Sequence, residues 1–297
     1  MQRLAGAALI LLSMLIMTDC YAAGGSSEFK FNVYQKIESY RWAEYNEYGE
    51  RLLEETGPIY GAGFTFSGKI PPKIKTAVHL MLKGKLEIFG GTVDYDGQTW
   101  GGDPVTSDVD YFGYRPELTV GPGFTIPRNS NISDGLFVQF GPFAGLGVKH
   151  WDRDINDTTY QESDDLYPTY VHGYTETWTC IYAPLGIRGD MVFPRHGIKG
   201  FIEFVAKIPL DNENTSDDVV EGEHVTIKPG EEVSYYFETG VAWQKSRFPG
   251  IRASFFYETL RFSQSDPVKV RMWDRYRYLS QPRSEADMYG LHIGVVF

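Results

Sequence analysis

Acidic side chains crowd three segments of this 297-residue chain and are the first candidates for a chemical function. A hard cation such as Ca²⁺ binds several oxygen ligands at once, so this crowding raises the hypothesis of a calcium site. None of the segments follows the twelve-residue calcium loop, because Asp157 stands where a loop starting at Asp152 would need glycine. We therefore interpret them as solvated surface, with calcium binding as the alternative. The clusters are Asp94, Asp96, Asp103, Asp108 and Asp110; Asp152, Asp154 and Asp157; and Asp211, Glu213, Asp217 and Asp218.

Hydrolytic chemistry would need a histidine beside an acid or a serine, and the six histidines are scattered along the chain. A carboxylate pair such as Asp94 and Asp96 could activate water together with an Asp-x-His sequence. The nearest segment, 221–224 (EGEH), lacks that order, and no His-x-Ser sequence occurs. A Ser–His pair brought together from different strands stays open. The sequence assigns no catalytic residue, no metal ligand and no cofactor, since Cys180 also lacks a thiol partner.

A larger set of charged residues alternates with apolar ones, which is the period of a β-strand. In segment 78–88, for example, the apolar residues take every second position and the charged residues lie between them. If the sheet closes on itself, the charged face points inward, where opposite charges should pair. We predict a lumen charge network of seven basic and six acidic residues: Lys83, Lys85, Glu87, Arg115, Glu117, Lys149, Arg188, Asp190, Glu203, Lys207, Glu238, Arg252 and Glu258.

The alternating segments predict ten strands, joined in turn by long and short connections. The long connections are acidic, and several of the short turns are basic, so the two ends face different surroundings. The strands are predicted at 29–43, 58–70, 76–94, 110–126, 136–150, 176–193, 200–210, 232–244, 250–263 and 286–297. The long connections are predicted at about 44–57, 95–109, 151–175, 211–231 and 264–285.

The first 22 residues have the three parts of a secretory signal peptide. Arg3 supplies the positive start, 4–17 is apolar, and Cys20 to Ala22 form a small-x-small cleavage site. The alternatives are an N-terminal anchor helix and a lipidated Cys20, the second disfavoured by Asp19. No later run reaches the roughly 20 apolar residues of a membrane-spanning helix. The formal net charge of −11 argues against nucleic-acid binding, which needs a basic face.

The last predicted strand places apolar residues at every second position and ends on phenylalanine. It resembles the C-terminal assembly signal of Gram-negative outer-membrane β-barrels. That resemblance covers the mature chain at the level of architecture and implies the outer membrane as location. It further implies outer-membrane lipid and lipopolysaccharide as partners, capture of the strand by the barrel-assembly machinery, and a monomer. The signal residues are Tyr289, Leu291, Ile293, Val295 and Phe297.

The expected fold is therefore all-β: an antiparallel up-and-down transmembrane β-barrel, with one domain at 23–297. In hydrocarbon every backbone amide needs a partner, so the sheet must close. Outward aromatic residues should form belts at the two interfaces. The candidates for these belts are Trp42, Tyr60, Tyr111, Tyr114, Trp178, Tyr235 and Trp243.

The interior charges favour a narrow conduit for small solutes or ions, or a purely structural barrel, because ten strands enclose little space. An enzyme at the outer rim is the first alternative, as in the omptin proteases, which resemble this chain in size, or a lipid A-modifying hydrolase. An adhesin acting through 151–175 and 211–231 is the second. Basic and aromatic residues in 264–285 could bind lipopolysaccharide phosphates or pair with neighbouring acidic loops.

Overall fold

The computed structural model describes residues 28–70, 78–98, 102–127, 136–160, 169–220, 223–245, 249–272 and 275–297. Almost all of these residues are in β-strands, as the alternation predicts. The predicted signal peptide, 1–22, lies outside the described residues. Within them, no helix has the length and apolar character needed to cross a bilayer.

Sixteen strands occur in the described ranges, and they are numbered here in chain order. They are β1 (Glu28–Tyr45), β2 (Arg51–Ile70), β3 (Val78–Gln98), β4 (Pro104–Pro127), β5 (Phe137–Ile155), β6 (Thr158–Tyr160), β7 (Thr169–Val171), β8 (Tyr174–Phe193), β9 (Ile198–Val220), β10 (Glu223–Ile227), β11 (Gly230–Glu231), β12 (Ser234–Trp243), β13 (Gly250–Ser263), β14 (Val268–Met272), β15 (Arg275–Leu279) and β16 (Arg283–Val296).

Ten of these strands form one closed antiparallel barrel, in the order β1-β2-β3-β4-β5-β8-β9-β12-β13-β16. The barrel closes where β16 pairs with β1, with Val295 opposite Val33. At the end of this seam the Phe297 backbone N–H donates a hydrogen bond of 2.8 Å to the Phe31 carbonyl oxygen. Each strand neighbours the next large strand of the sequence, so the predicted ten-stranded up-and-down barrel is confirmed.

The barrel strands continue well into the segments predicted to be long connections. Between β1 and β2 only residues 46–50 separate the strands, and β3 and β4 run through most of 95–109. Acidic, Thr and Gly residues gave these segments the composition of loops. Their inward positions still alternate, however, as Val105 and Val109 are buried while Asp108 between them is exposed. The pairing of the ladder therefore outweighs the low strand propensity of the outward residues.

A belt of apolar side chains covers the outer face of the barrel near the short turns. Leu118, Ile187 and Ile202 are each about half exposed, as is expected of side chains that face lipid. Further along the same strands the outer face becomes polar, with Arg41 and Asp110 exposed. All five predicted assembly-signal residues lie on the outer face of the last strand: Tyr289, Leu291, Ile293, Val295 and Phe297.

The predicted aromatic belts are correct in part. Four of the candidates are 42–54% exposed on the outer face: Tyr60, Tyr114, Tyr235 and Trp243. The prediction was wrong for Trp42, Tyr111 and Trp178, which are at most 4% exposed and point into the barrel. Bulky aromatic residues near strand ends fit either face by residue type alone, and the register of the strand decides between them.

Candidate functional site: the charged and aromatic interior

All thirteen residues of the predicted lumen network occupy inward-facing positions of the barrel strands. Their side chains are buried or half-buried, in contrast to their half-exposed apolar neighbours. A buried charge is tolerated when it is paired and hydrogen-bonded, so the positions of the partners decide what this interior can do.

The centre of the network is Arg115 on β4, whose guanidinium joins two carboxylates from different walls. Its Nη2 lies 2.9 Å from Glu87 Oε1, and its Nη1 lies 2.5 Å from Glu258 Oε2. Glu258 also contacts Lys207 Nζ, and Glu87 accepts a 2.9 Å hydrogen bond from the Tyr34 hydroxyl. Because Glu87 and Glu258 lie on β3 and β13, this chain of contacts crosses the lumen.

A glycine allows Tyr34 to take this position. The Tyr34 ring lies across Gly63 of β2, where an added Cβ would come within 2.2 Å of the ring. The ring can therefore pass over the neighbouring strand and place its hydroxyl against Glu87 on β3. A larger residue at 63 would displace one of the hydrogen-bond donors of that carboxylate.

A second group of ion pairs lies nearer the short-turn end. Lys83 Nζ contacts Glu203 Oε1 at 2.6 Å, and Arg188 Nη1 lies 3.5 Å from Glu203 Oε2. Arg188 Nε is also 3.3 Å from Asp190 Oδ1. On the adjacent strands β12 and β13, Arg252 Nη2 lies 2.8 Å from Glu238 Oε1.

The remaining members of the predicted network have different surroundings. Lys85 Nζ lies 3.0 Å from Glu87 Oε2. Glu117 accepts a 3.0 Å hydrogen bond from the Tyr182 hydroxyl. The Lys149 ammonium lies 5.2 Å from the centre of the Phe89 ring, a cation–π contact.

Sequence reasoning missed several inward ionic residues. Lys36 Nζ lies 3.0 Å from Glu38 Oε2 and 2.9 Å from Glu87 Oε1. Lys199 Nζ lies 2.8 Å from Asp190 Oδ2, and His292 Nδ1 lies 3.3 Å from Glu238 Oε1. The alternation of 33–38 (VYQKIE) already indicates that Lys36 and Glu38 face inward. His292 alternates with the outward-facing assembly-signal residues, so its inward position could also have been predicted from the sequence.

Above this network an aromatic layer fills the barrel. Trp42, Trp151 and Trp178 are at most 2% exposed. The Trp178 ring centre lies 5.2 Å from that of Trp42 and 5.6 Å from that of Trp151, and Phe262 packs against it at 5.1 Å. The outer wall at this level is polar, because Arg41, the neighbour of Trp42 on β1, is exposed on the outer face. The layer therefore lies beyond the apolar belt.

Within this layer Arg153 faces three glutamates. Its Nε lies 2.8 Å from Glu55 Oε1, and its Nη1 lies 2.7 Å from Glu176 Oε2 and 3.4 Å from Glu44 Oε1. Two indole N–H groups complete the cluster, since Trp42 donates to Glu44 and Trp178 to Glu176, both at 3.0 Å. If all three carboxylates were ionised, this buried cluster would carry two uncompensated negative charges.

Burial is the largest cause of a raised pKa at Glu44, and the neighbouring Glu176 adds to it. Arg153 and the Trp42 N–H act in the opposite direction, and the balance leaves the pKa of Glu44 at about 7. The same burial raises the pKa of the nearby Tyr95 hydroxyl to about 12. Glu44 therefore gains or loses a proton near neutral pH.

The acidic surface residues that the structure describes are spread over separate parts of the barrel wall. Asp94 and Asp96 lie on the outer face of β3, whose ladder pairs Asp96 with Thr106. His224 on β10 contacts Asp217 on β9 at 2.5 Å, on the far side of β4, β5 and β8 in the sheet order. Among the described residues, no group of three His, Cys, Asp or Glu side chains is arranged to hold a metal.

Comparison with known proteins shows the fold. No family model matches the chain, and no curated protein matches it in sequence. The outer membrane protease OmpT from Escherichia coli is similar in structure, with a TM-score of 0.60 at 9% identity over 94% of this chain and 99% of that one. The translocator domain of the autotransporter NalP from Neisseria meningitidis gives 0.37 at 10% identity over 98% and 96%. Ail of Yersinia pestis gives 0.31 at 10% identity over 91% and 99%.

The chain thus has the fold of Gram-negative outer-membrane β-barrels. This fold and the apolar belt agree with the predicted location in the cell outer membrane. At 9% identity the similarity to OmpT extends to the architecture and leaves the chemistry to be argued from the residues of this chain.

The Arg115→Met variant should be strongly destabilised, because removing the guanidinium leaves Glu87 and Glu258 short of their shared partner. Loss of one member of a buried pair costs about 3–5 kcal/mol in the free energy of unfolding. Guanidinium-chloride unfolding in detergent micelles, followed by tryptophan fluorescence, measures the effect. The exposed Arg51 provides the matched control, and Arg51→Met should change stability by less than about 1 kcal/mol. Equal effects of the two variants would contradict the network.

The Glu44→Gln variant should alter the pH dependence of stability. A carboxyl whose folded pKa of about 7 exceeds its ordinary value of 4.5 loses stabilising free energy as the pH rises between those values. The variant removes this loss, so it should gain about 2–3 kcal/mol on the wild type between pH 5 and pH 8. Denaturant midpoints at several pH values test this, with Glu47→Gln in the exposed turn as control. A stability difference between Glu44→Gln and wild type that does not change with pH would refute it.

Proposed function

We propose that this protein is an outer-membrane barrel whose lumen is closed. Its function then depends on the part of the barrel wall that projects beyond the bilayer. The observation that carries the proposal is the filled interior. The sequence predicts either a narrow conduit or a structural barrel, and the geometry favours the structural barrel.

Two successive layers support a closed lumen. In the lower layer the Glu87–Arg115–Glu258 contacts cross the barrel, and each of these side chains is at most 2% exposed. In the upper layer buried tryptophans pack together, and Arg153 Cζ lies 5.8 Å from the centre of the Trp42 ring. Moving a hydrated ion past either layer would require buried pairs to separate, at a cost of several kcal/mol for each uncompensated charge.

The length of the strands supports a role for the projecting wall. β4 has 24 residues, and at a rise of about 3.3 Å and a tilt of about 45° it spans roughly 55 Å along the barrel axis. The apolar band of such barrels is about 25 Å tall, so about 30 Å of wall extends beyond the belt. We place this wall outside the cell and the short turns and both termini in the periplasm. Lipopolysaccharide would contact the wall near the belt, and the assembly machinery would bind the last strand.

Reconstitution in planar bilayers tests the closed lumen. The wild-type protein should give no conductance steps above the lipid baseline, because both layers are filled. A 16-stranded porin in the same bilayer shows that insertion and detection work. Trp178→Gly, which removes a central ring of the upper layer, should still give no steps, since the Arg115 layer remains. Discrete steps from the folded wild-type barrel would overturn the proposal.

Adhesion to a cationic partner is a second candidate function, favoured by the charge of the projecting wall. An open groove of about 790 Å³ lies on the outer face across β2, β3, β4 and residues 156–158. Its lining includes Glu54, Asp94, Asp96, Asp108 and Asp157. Carboxylates gathered on one face attract cationic surfaces over about a Debye length, an attraction that salt weakens.

Neutralising the groove tests adhesion. Cells displaying a variant with Asp94, Asp96 and Asp108 changed to Asn should bind a fluorescent oligolysine several-fold more weakly at low salt than wild-type cells. A variant with Asp211→Asn, Glu213→Gln and Asp217→Asn removes the same charge from another part of the wall and should lose less binding. If the two variants lose binding equally, the groove has no special role.

A further inference from the structure

A cavity of about 330 Å³ opens at the short-turn end of the barrel, below the ion pairs of the lumen. Its walls come from nine of the ten barrel strands, β1, β2, β3, β5, β8, β9, β12, β13 and β16, so it lies on the barrel axis. It ends at the Lys83–Glu203 and Arg188–Asp190 pairs described above. The cavity is therefore a pocket with one entrance, which suits it to binding.

In the described part of the chain, cationic side chains line the cavity and no carboxylate does. The carboxylates that neutralise some of them, Asp190, Glu203 and Glu238, lie behind the lining. The described surface that faces the cavity is therefore basic, with six cationic side chains. The six are Lys30, Lys69, Lys83, Arg188, Lys199 and Arg252.

The two guanidinium groups of the pocket lie near the same aromatic ring. The Phe201 ring centre lies 4.0 Å from Arg252 Cζ and 6.0 Å from Arg188 Cζ. These cation–π contacts, the closer one at Arg252, help to hold the two groups near each other and limit the entropy that binding would cost. A planar fork of N–H donors matches the oxygens of a phosphate, which can accept several such bonds at once.

The remaining lining indicates that the ligand has an organic part. Phe137, Phe193 and Val296 contribute apolar surface to the same pocket. Asn32, which is 6% exposed, has a side-chain oxygen without a hydrogen-bond partner among the described residues. A hydroxyl of the ligand, or a protonated phosphate oxygen, could donate to it.

We propose that this pocket binds the phosphate group of a small organic phosphate that enters from the short-turn end. The site does not depend on the role proposed for the projecting wall, and it requires no passage of the ligand through the barrel. A phospholipid headgroup offers the same chemistry, so the experiment must separate the two sources.

Isothermal titration calorimetry of the purified barrel in a non-ionic detergent, with pyrophosphate as the probe, tests the site. We expect saturable binding that weakens as the salt concentration rises. Lys69→Gln removes a cation at the half-buried rim and should raise Kd about tenfold, the effect of losing one charge-assisted hydrogen bond. Lys30→Gln serves the same purpose if Lys69→Gln does not fold. The matched control is Lys228→Gln, at the other end of the barrel, whose Kd should equal that of the wild type.

Two results would overturn the proposal: no saturable binding by the wild type, or equal weakening in Lys69→Gln and Lys228→Gln. Repeating the titration in lipid nanodiscs identifies the source of the phosphate. If pyrophosphate binds equally in phosphatidylcholine and in phosphatidylglycerol nanodiscs, the site takes a soluble phosphate, as proposed. If phosphatidylglycerol abolishes the binding, a lipid headgroup competes for the pocket, and the assignment to a soluble compound is wrong.

Discussion

The need to pair every backbone amide in a medium without water governs this structure. An open sheet in lipid would leave a row of unpaired N–H and C=O groups, each costing several kcal/mol. The β16–β1 seam removes both edges. Once the sheet is closed, alternate side chains must enter a narrow space, and the composition of that space follows from the inward residues. The ion pairs, the tryptophan layer and the basic pocket are all consequences of closure.

The interior is ordered along the axis by the chemistry of its contents. Lysines and arginines dominate the pocket at the short-turn end, balanced ion pairs fill the middle, and the aromatic layer with Arg153 lies above them. The outer face changes in parallel, from apolar to acidic. This arrangement keeps the paired charges at the depth of the lipid and places the proton-exchanging Glu44 where the outer wall is polar.

Much of this architecture was predictable from period-two alternation. Lys83, Lys85 and Glu87 show why, since they alternate with residues such as Leu86 that must face lipid. The pairing partners were not predictable, because Arg115 and Glu258 are 143 positions apart and only the curvature of the closed barrel brings them together. Trp42 and Trp178 were wrongly predicted to face outward, because an aromatic residue at a strand end suits either face of the barrel. The extended strands were missed because ladder pairing outweighs local propensity in 95–109.

The contacts across the lumen imply that folding of the barrel is cooperative. Arg115 on β4 reaches Glu258 on β13, and Lys83 on β3 reaches Glu203 on β9. Before the terminal strands meet, a partly assembled sheet would hold several of its ions without their counterparts. Such intermediates are penalised electrostatically as well as by their open edges. Side chains deep in the lumen therefore stabilise the complete barrel relative to partly assembled sheets, an effect that adds to that of the backbone pairing at the seam.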